Sequence, residues 1–184
     1  MHEEEKIKEA EYFCKQMLDT QEDSEAFKYN LSAFLSAARS VLQFACEEAR
    51  TKSKGLYWYD TYVSKKLIIS FFRDKRDFNI HQEPVKTRKD ITLSLTEALS
   101  LSVSIGSIRI VHKDKNGNII SESISENQSE PKPRKVKKQV PAKVTYRYSF
   151  DDWVGNEDIP TLCQKYIDEL KIITADGLKK GFLS

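Results

Sequence analysis

The chain has 184 residues, enough for one compact domain or one domain with a sizeable insertion. Its 30 basic and 28 acidic residues leave a formal charge of +2, so it is neither a polybasic nucleic-acid binder nor an acidic tail overall. With 39% apolar and 10% aromatic residues it can build a core, which excludes wholesale disorder.

The first half reads as helices. Ile7, Ala10, Phe13 and Met17 recur at helical spacing, and the pattern ends near Asp19-Thr20. Asp23 or Ser24 then caps a second helix with the stripe Phe27, Leu31, Phe34, Leu35, Ala38, Val41, Leu42 and Ala45, running to about Arg50. Gly55 breaks the chain. Asp60 is read as the cap of a third helix, with Val63, Leu67, Ile68 and Phe71 inward. Asn79 weakens that helix, and Pro84 ends it by disfavouring helical geometry in the residue before it.

The periodicity then becomes two. Leu93 and Leu95 alternate with polar neighbours, as do Leu99, Leu101, Val103 and Ile105. Gly106-Ser107 predicts a hairpin turn or a bulge. Asn116-Gly117 predicts a hairpin between Ile108–Val111 and Ile119–Ile124. Residues at about 125–139 lack apolar period and read as a mobile basic loop. Val140, Val144, Tyr146, Tyr148 and Phe150 form a last strand, with Pro141 suited to an edge or a start. Helical spacing returns: Asp158 caps, Pro160 sits in the first turn, and Ile159, Leu162, Cys163, Tyr166, Ile167, Leu170 and Ile173 share one face, with Gly177 as the stop. The order predicts an α+β, mainly α fold: a bundle of 1–86 plus 157–184, with an antiparallel β insertion at 87–156 before the last helix.

Several function classes lack their signatures. Cys14, Cys46 and Cys163 lie far apart without a CxxC or Cys/His cluster, so no metal site is expected and the thiols read as reduced core residues. No glycine-rich phosphate loop or GxSxG is present, so no cofactor is expected. The longest apolar run, Leu67 to Phe72, is interrupted by Ser70 and far too short for a membrane span. The acidic, periodic start MHEEEKIKEAEYF is not a targeting peptide, which makes the cytoplasm the expected location. Charge is uneven. Residues 1–26 hold nine acids and three bases, net −6; residues 50–90 hold eleven bases and five acids, net +6; residues 128–150 hold seven bases and one acid, net +6. Such basic stretches suit a phosphate chain or are plain solvated faces.

The candidate chemistry lies late in the third helix, in Arg76-Asp77-Phe78-Asn79-Ile80-His81. Histidine can exchange a proton near neutrality, and arginine offers phosphate a permanently charged planar fork. RNA cleavage by its own 2′-hydroxyl needs both services and no metal. Asp77 equally orients the arginine or histidine or pairs with Arg73 one turn earlier; the plainer alternatives, a surface ion pair of Arg76 with Asp74 or Asp77 and a favoured helix-end place for His81, are the lesser readings. Five residues at about 100° each set Arg76 and His81 about 140° apart on a regular helix. Either the helix ends between them, or each meets its counterpart across a two-fold axis. Tyr57, Trp58, Tyr59 and Tyr62 form an aromatic cluster that can stack on bases, although burial at a bundle end is the preferred reading.

The RDxxxH string resembles the Rx4–6H signature of the HEPN superfamily. That resemblance covers about 1–84 plus the final helix; the β segment has no counterpart in the minimal fold. It implies a bundle of four or five helices, a site built at a homodimer interface, and a metal-independent endoribonuclease, often a toxin or defence component with an antitoxin or other protein partner. Some members are catalytically silent binding modules, and this is the alternative expectation here.

Overall fold

The computed structural model describes residues 1–94, 108–114, 117–125 and 143–184. Helices α1 (His2–Asp19), α2 (Ser24–Arg50), α3 (Gly55–Ser64) and α4 (Leu67–His81) are followed by strands β1 (Arg88–Ser94), β2 (Ile108–Lys113), β3 (Ile119–Ser125) and β4 (Lys143–Ser149), and by helix α5 (Ile159–Lys179). The fold is α+β and mainly α, with two two-stranded antiparallel sheets, β1 with β4 and β2 with β3. The chain divides into a helical unit of Met1–Lys89 with Tyr148–Ser184, and a β unit of Asp90–Arg147.

In the helical unit the apolar stripes meet. The α2 stripe from Phe27 to Ala45 is buried throughout, and Asp23 caps that helix by accepting from the Glu25 and Ala26 amides. Helix α5 packs against α1, α2 and α4, so it closes the bundle from the far end of the sequence. Its Asp158 carboxylate accepts the Thr161 amide at 2.9 Å, and its whole face from Ile159 to Ile173 is buried. Aromatic rings join the layers: Phe72 of α4 stacks on Tyr166 of α5 at 4.7 Å, and Phe34 of α2 meets both edge-on. Tyr148, at the end of β4, stacks on Phe27 at 3.7 Å and donates its hydroxyl to the Gln21 carbonyl at 3.0 Å.

Several expectations change here. Asp60 does not begin a helix; it lies inside α3, and the expected third helix is two helices broken at Lys65-Lys66. Val63 and Ile69 are both buried, yet on one continuous helix they would point about 120° apart. The break resets the phase so that both reach the core. It also turns Leu67 outward, 64% exposed, and puts Ile69 and Phe72 inside in place of Ile68 and Phe71. Gly177 does not stop α5. It lies within the helix, where a Cβ would strike Leu183 and Trp58, and the chain turns at Gly181 with φ +74°. Cys46 is half-buried, whereas Cys14 and Cys163 are buried as free thiols.

In the β unit, β2 and β3 pair in antiparallel register from Ile108 opposite Ser125 to His112 opposite Ser121, with an irregularity before Lys113. Gly117 takes φ +87° at the turn and donates its amide to the Asp114 carbonyl at 3.1 Å, and the Asp114 side chain accepts the Asn118 amide at 2.9 Å; Asn116 of the expected Asn-Gly turn lies outside the described residues. The alternating run 95–105, Gly106-Ser107, the basic loop at about 125–139, Val140 and Pro141 fall largely or wholly outside the described residues. Among the described residues, no helix is long and apolar enough to cross a membrane.

Candidate functional site on helix α4

Helix α4 runs unbroken through the RDxxxH string and ends at His81. Its direction is set by Ile69 and Phe72 in the core and by Asn79 near its end. The Asn79 amide donates to the Ser32 hydroxyl at 2.8 Å, and its carbonyl accepts the Val85 amide at 3.3 Å. Asn79, expected to weaken the helix, instead fastens its last turn to α2 and to the segment beyond. On the other side, Lys75 reaches Asp152 at 2.7 Å and lies over the Phe71 and Phe150 rings.

These anchors explain where the candidate residues stand. Arg76 follows Phe72 by four residues and Ile69 by seven, so it leaves the helix from nearly the core-facing side. Its side chain is 22% exposed, and its Nε is buried without a hydrogen-bond partner. Arg76 Nη1 donates to the Asp77 carboxylate at 3.0 Å, with Asp77 50% exposed. The structure thus brings Asp77 to Arg76, and pairs Arg73 with Asp74 at 3.4 Å. An exposed pair of neighbours contributes little stability, in the range of about 0–1 kcal/mol. His81, five residues on, is the exposed last residue of α4. Because the helix is continuous, Arg76 and His81 diverge by about 140° within one chain. A helix end between them is therefore ruled out, and the two side chains leave α4 in different directions.

Arginine chemistry also gathers where the linear motif does not point. A cavity of about 670 Å³ between α2, α3 and α4 is lined by Arg39, Tyr59 and Arg73, together with Glu47, Arg50 and Asp60. Glu47 neutralises Arg50 at 3.1 Å, while Arg39 has no carboxylate partner among the described residues and its Nε is buried without a hydrogen bond. Burial pushes the Tyr59 hydroxyl above its ordinary pKa, and the Arg39 guanidinium beside it pulls in the opposite sense. The Tyr166 hydroxyl is raised more strongly by burial, within reach of the same arginines, and has no hydrogen-bond partner. Arg39 escapes a linear search because it sits between apolar positions of α2; its isolation within the stripe AFLSAARSVLQFA is the one available signal. Of the aromatic cluster, Trp58 and Tyr59 are buried, Tyr62 is half-buried and Tyr57 is exposed.

Among the described residues, no group of three or more His, Cys, Asp and Glu side chains converges as a cation site. Compared with known proteins, the chain matches no family model, no curated protein and no solved structure.

Proposed function

We propose that the chain is a metal-independent endoribonuclease of the HEPN type, acting as a homodimer in which Arg76 of one protomer stands beside His81 of its partner. The observation that carries this reading is the exposed His81 at the end of a helix that also presents Arg76, oriented by Asp77. In the reaction His81 takes the proton from a ribose 2′-hydroxyl. The 2′-oxygen bonds to phosphorus, the bond from phosphorus to the 5′-oxygen breaks, and that oxygen takes a proton from water or a second acid. Arg76 offsets the charge on the equatorial oxygens; its remaining donors beyond the one given to Asp77 suit that task. The products are a 2′,3′-cyclic phosphate, or a 3′-phosphate after hydrolysis, and a 5′-hydroxyl. A cytoplasmic toxin or defence role, held in check by an antitoxin or another protein, fits this activity.

The test is cleavage of mixed-sequence single-stranded RNA in EDTA. His81→Ala should lower the rate by roughly 10²–10⁴, the usual worth of a positioned general acid or base. Arg76→Lys should also be damaging, since a point charge lacks the fork. Equal cleavage by wild type and His81→Ala would overturn the reading. A second reading, a catalytically silent binding module, is favoured by the Asp77 carboxylate already occupying Arg76 and by the burial of Arg76 Nε. Salt-sensitive RNA binding without cleavage would select it.

A further inference from the structure

A second pocket, of about 620 Å³, opens between α3 and the residues after α5. Its floor is the Trp58 indole, held in place by its neighbours. The indole N–H donates to the Asp176 carboxylate at 2.7 Å, and the Phe182 ring stacks on it at 5.2 Å. Gly177 leaves no room for a Cβ against it, so α5 closes directly on the indole. Tyr62 tilts in at 6.4 Å, and Tyr57 stands at the rim, 76% exposed. The result is a rigid aromatic slot with one free ring at its mouth.

The polar rim is cationic. Lys54, Lys65, Lys66 and Lys180 line the pocket, and among the described residues no carboxylate does. Lys66 and Lys180 are balanced by Glu169 at 3.0 Å and Asp176 at 2.8 Å. Lys54 and Lys65 have no carboxylate partner among the described residues. Lys54 adds an independent sign. It takes φ +62°, among the described residues the only non-glycine residue with positive φ, directly before Gly55. Asparagine or glycine would adopt that conformation more easily. Strain held at a residue that lines the pocket is the kind of outlier from which a binding role is inferred.

We infer that this slot docks single-stranded RNA, one base against Tyr57 and the aromatic floor and the flanking phosphates against Lys54 and Lys65. Single strands present free base faces, which stack on aromatic rings without sequence preference, while lysines track the backbone as point charges. A duplex would offer only phosphates, and an acidic peptide would leave the aromatic slot unused. The choice of polymer rests on the ribonuclease reading above; the docking itself requires no cleavage.

The experiment is fluorescence anisotropy of a labelled 12-nucleotide single strand with the full chain in a His81→Ala background. Tyr57→Ala should weaken binding about tenfold or more, the effect of losing one stacked base. Lys54→Asn with Lys65→Gln should reduce the slope of log affinity against log salt by about 1.4, two phosphate contacts on a single strand. Lys54→Asn alone should weaken binding while raising the melting temperature, because the strain is relieved. RNA affinity unchanged by both Tyr57→Ala and the lysine pair would overturn the inference, as would polyglutamate competing as well as RNA. Pocket-dependent binding by a wild-type chain that never cleaves would leave the inference standing and sink the ribonuclease reading. His81-dependent cleavage and binding indifferent to the pocket would do the reverse.

Discussion

Asn79 shows how one polar side chain sets the candidate site. Sequence pattern marks it as a weak point of the helix; in the structure it holds α4 to Ser32 and to the Val85 amide. Replacing it with alanine removes both bonds and leaves the Val85 amide short of a partner. Asn79→Ala should therefore cost about 1–2 kcal/mol, read as a lower urea midpoint at unchanged slope. An unchanged midpoint would show that the last turn of α4 is held by packing alone. Arg76 and Asp77 were legible as candidates because their residue types and spacing carry the chemistry. The inward lean of Arg76 was not, because it depends on which neighbours of α4 face the core. That lean also means Arg76→Lys disturbs partly buried surroundings, so its melting curve belongs beside its rate.

At the scale of elements, caps and stripes were largely legible, and the break between α3 and α4 was not. Asp23 and Asp158 announce their helices through side chains that satisfy free amides, a purely local effect. No glycine or proline marks Lys65-Lys66; packing imposes the break, since Val63 and Ile69 must both be buried. The segment before α5 carries a local pH device. The Glu157 carboxylate accepts from Lys165 at 2.6 Å and from the Trp153 indole at 2.9 Å, and these bonds hold its pKa down to about 2 from an ordinary 4.5. A carboxyl depressed in the folded state stabilises fully above the unfolded pKa and loses that contribution as pH falls through the folded one. Stability should therefore fall between about pH 4.5 and pH 2, and Trp153 emission, followed in a Trp58→Phe background, should change as pH falls to about 2. Lys165→Ala should move that change toward higher pH. A midpoint indifferent to Lys165 would mean that the lysine does not hold the carboxylate.

For the whole molecule the decisive question is how many chains make one site. The continuity of α4 keeps Arg76 and His81 apart in a single chain, so the proposed cleavage calls for two. Sedimentation should report a species of twice the monomer mass at micromolar concentration. Mixed Arg76→Ala and His81→Ala chains should regain about a quarter of wild-type activity, because half the dimers are mixed and each carries one intact pair. No recovery on mixing two individually inactive, dimeric variants would refute the composite site.

The amphipathic stripes of α2 and α5, the caps at Asp23 and Asp158 and the antiparallel pairing of β2 with β3 around Gly117 can all be read along the chain, because periodicity, amide satisfaction and turn chemistry act over a few residues. The same holds for the choice of Arg76, Asp77 and His81 as chemically apt residues. Folding alone places Arg39, Tyr59 and Arg73 around one cavity, and brings Phe182 to Trp58 and Lys54 in another, since the residues brought together come from different helices or from the far end of the chain. It also sets the phase of α4, and with it the direction of Arg76. A helix can rotate its stripe by one position at little local cost, and only the fit against Phe34 and Tyr166 selects the rotation that buries Ile69 and Phe72.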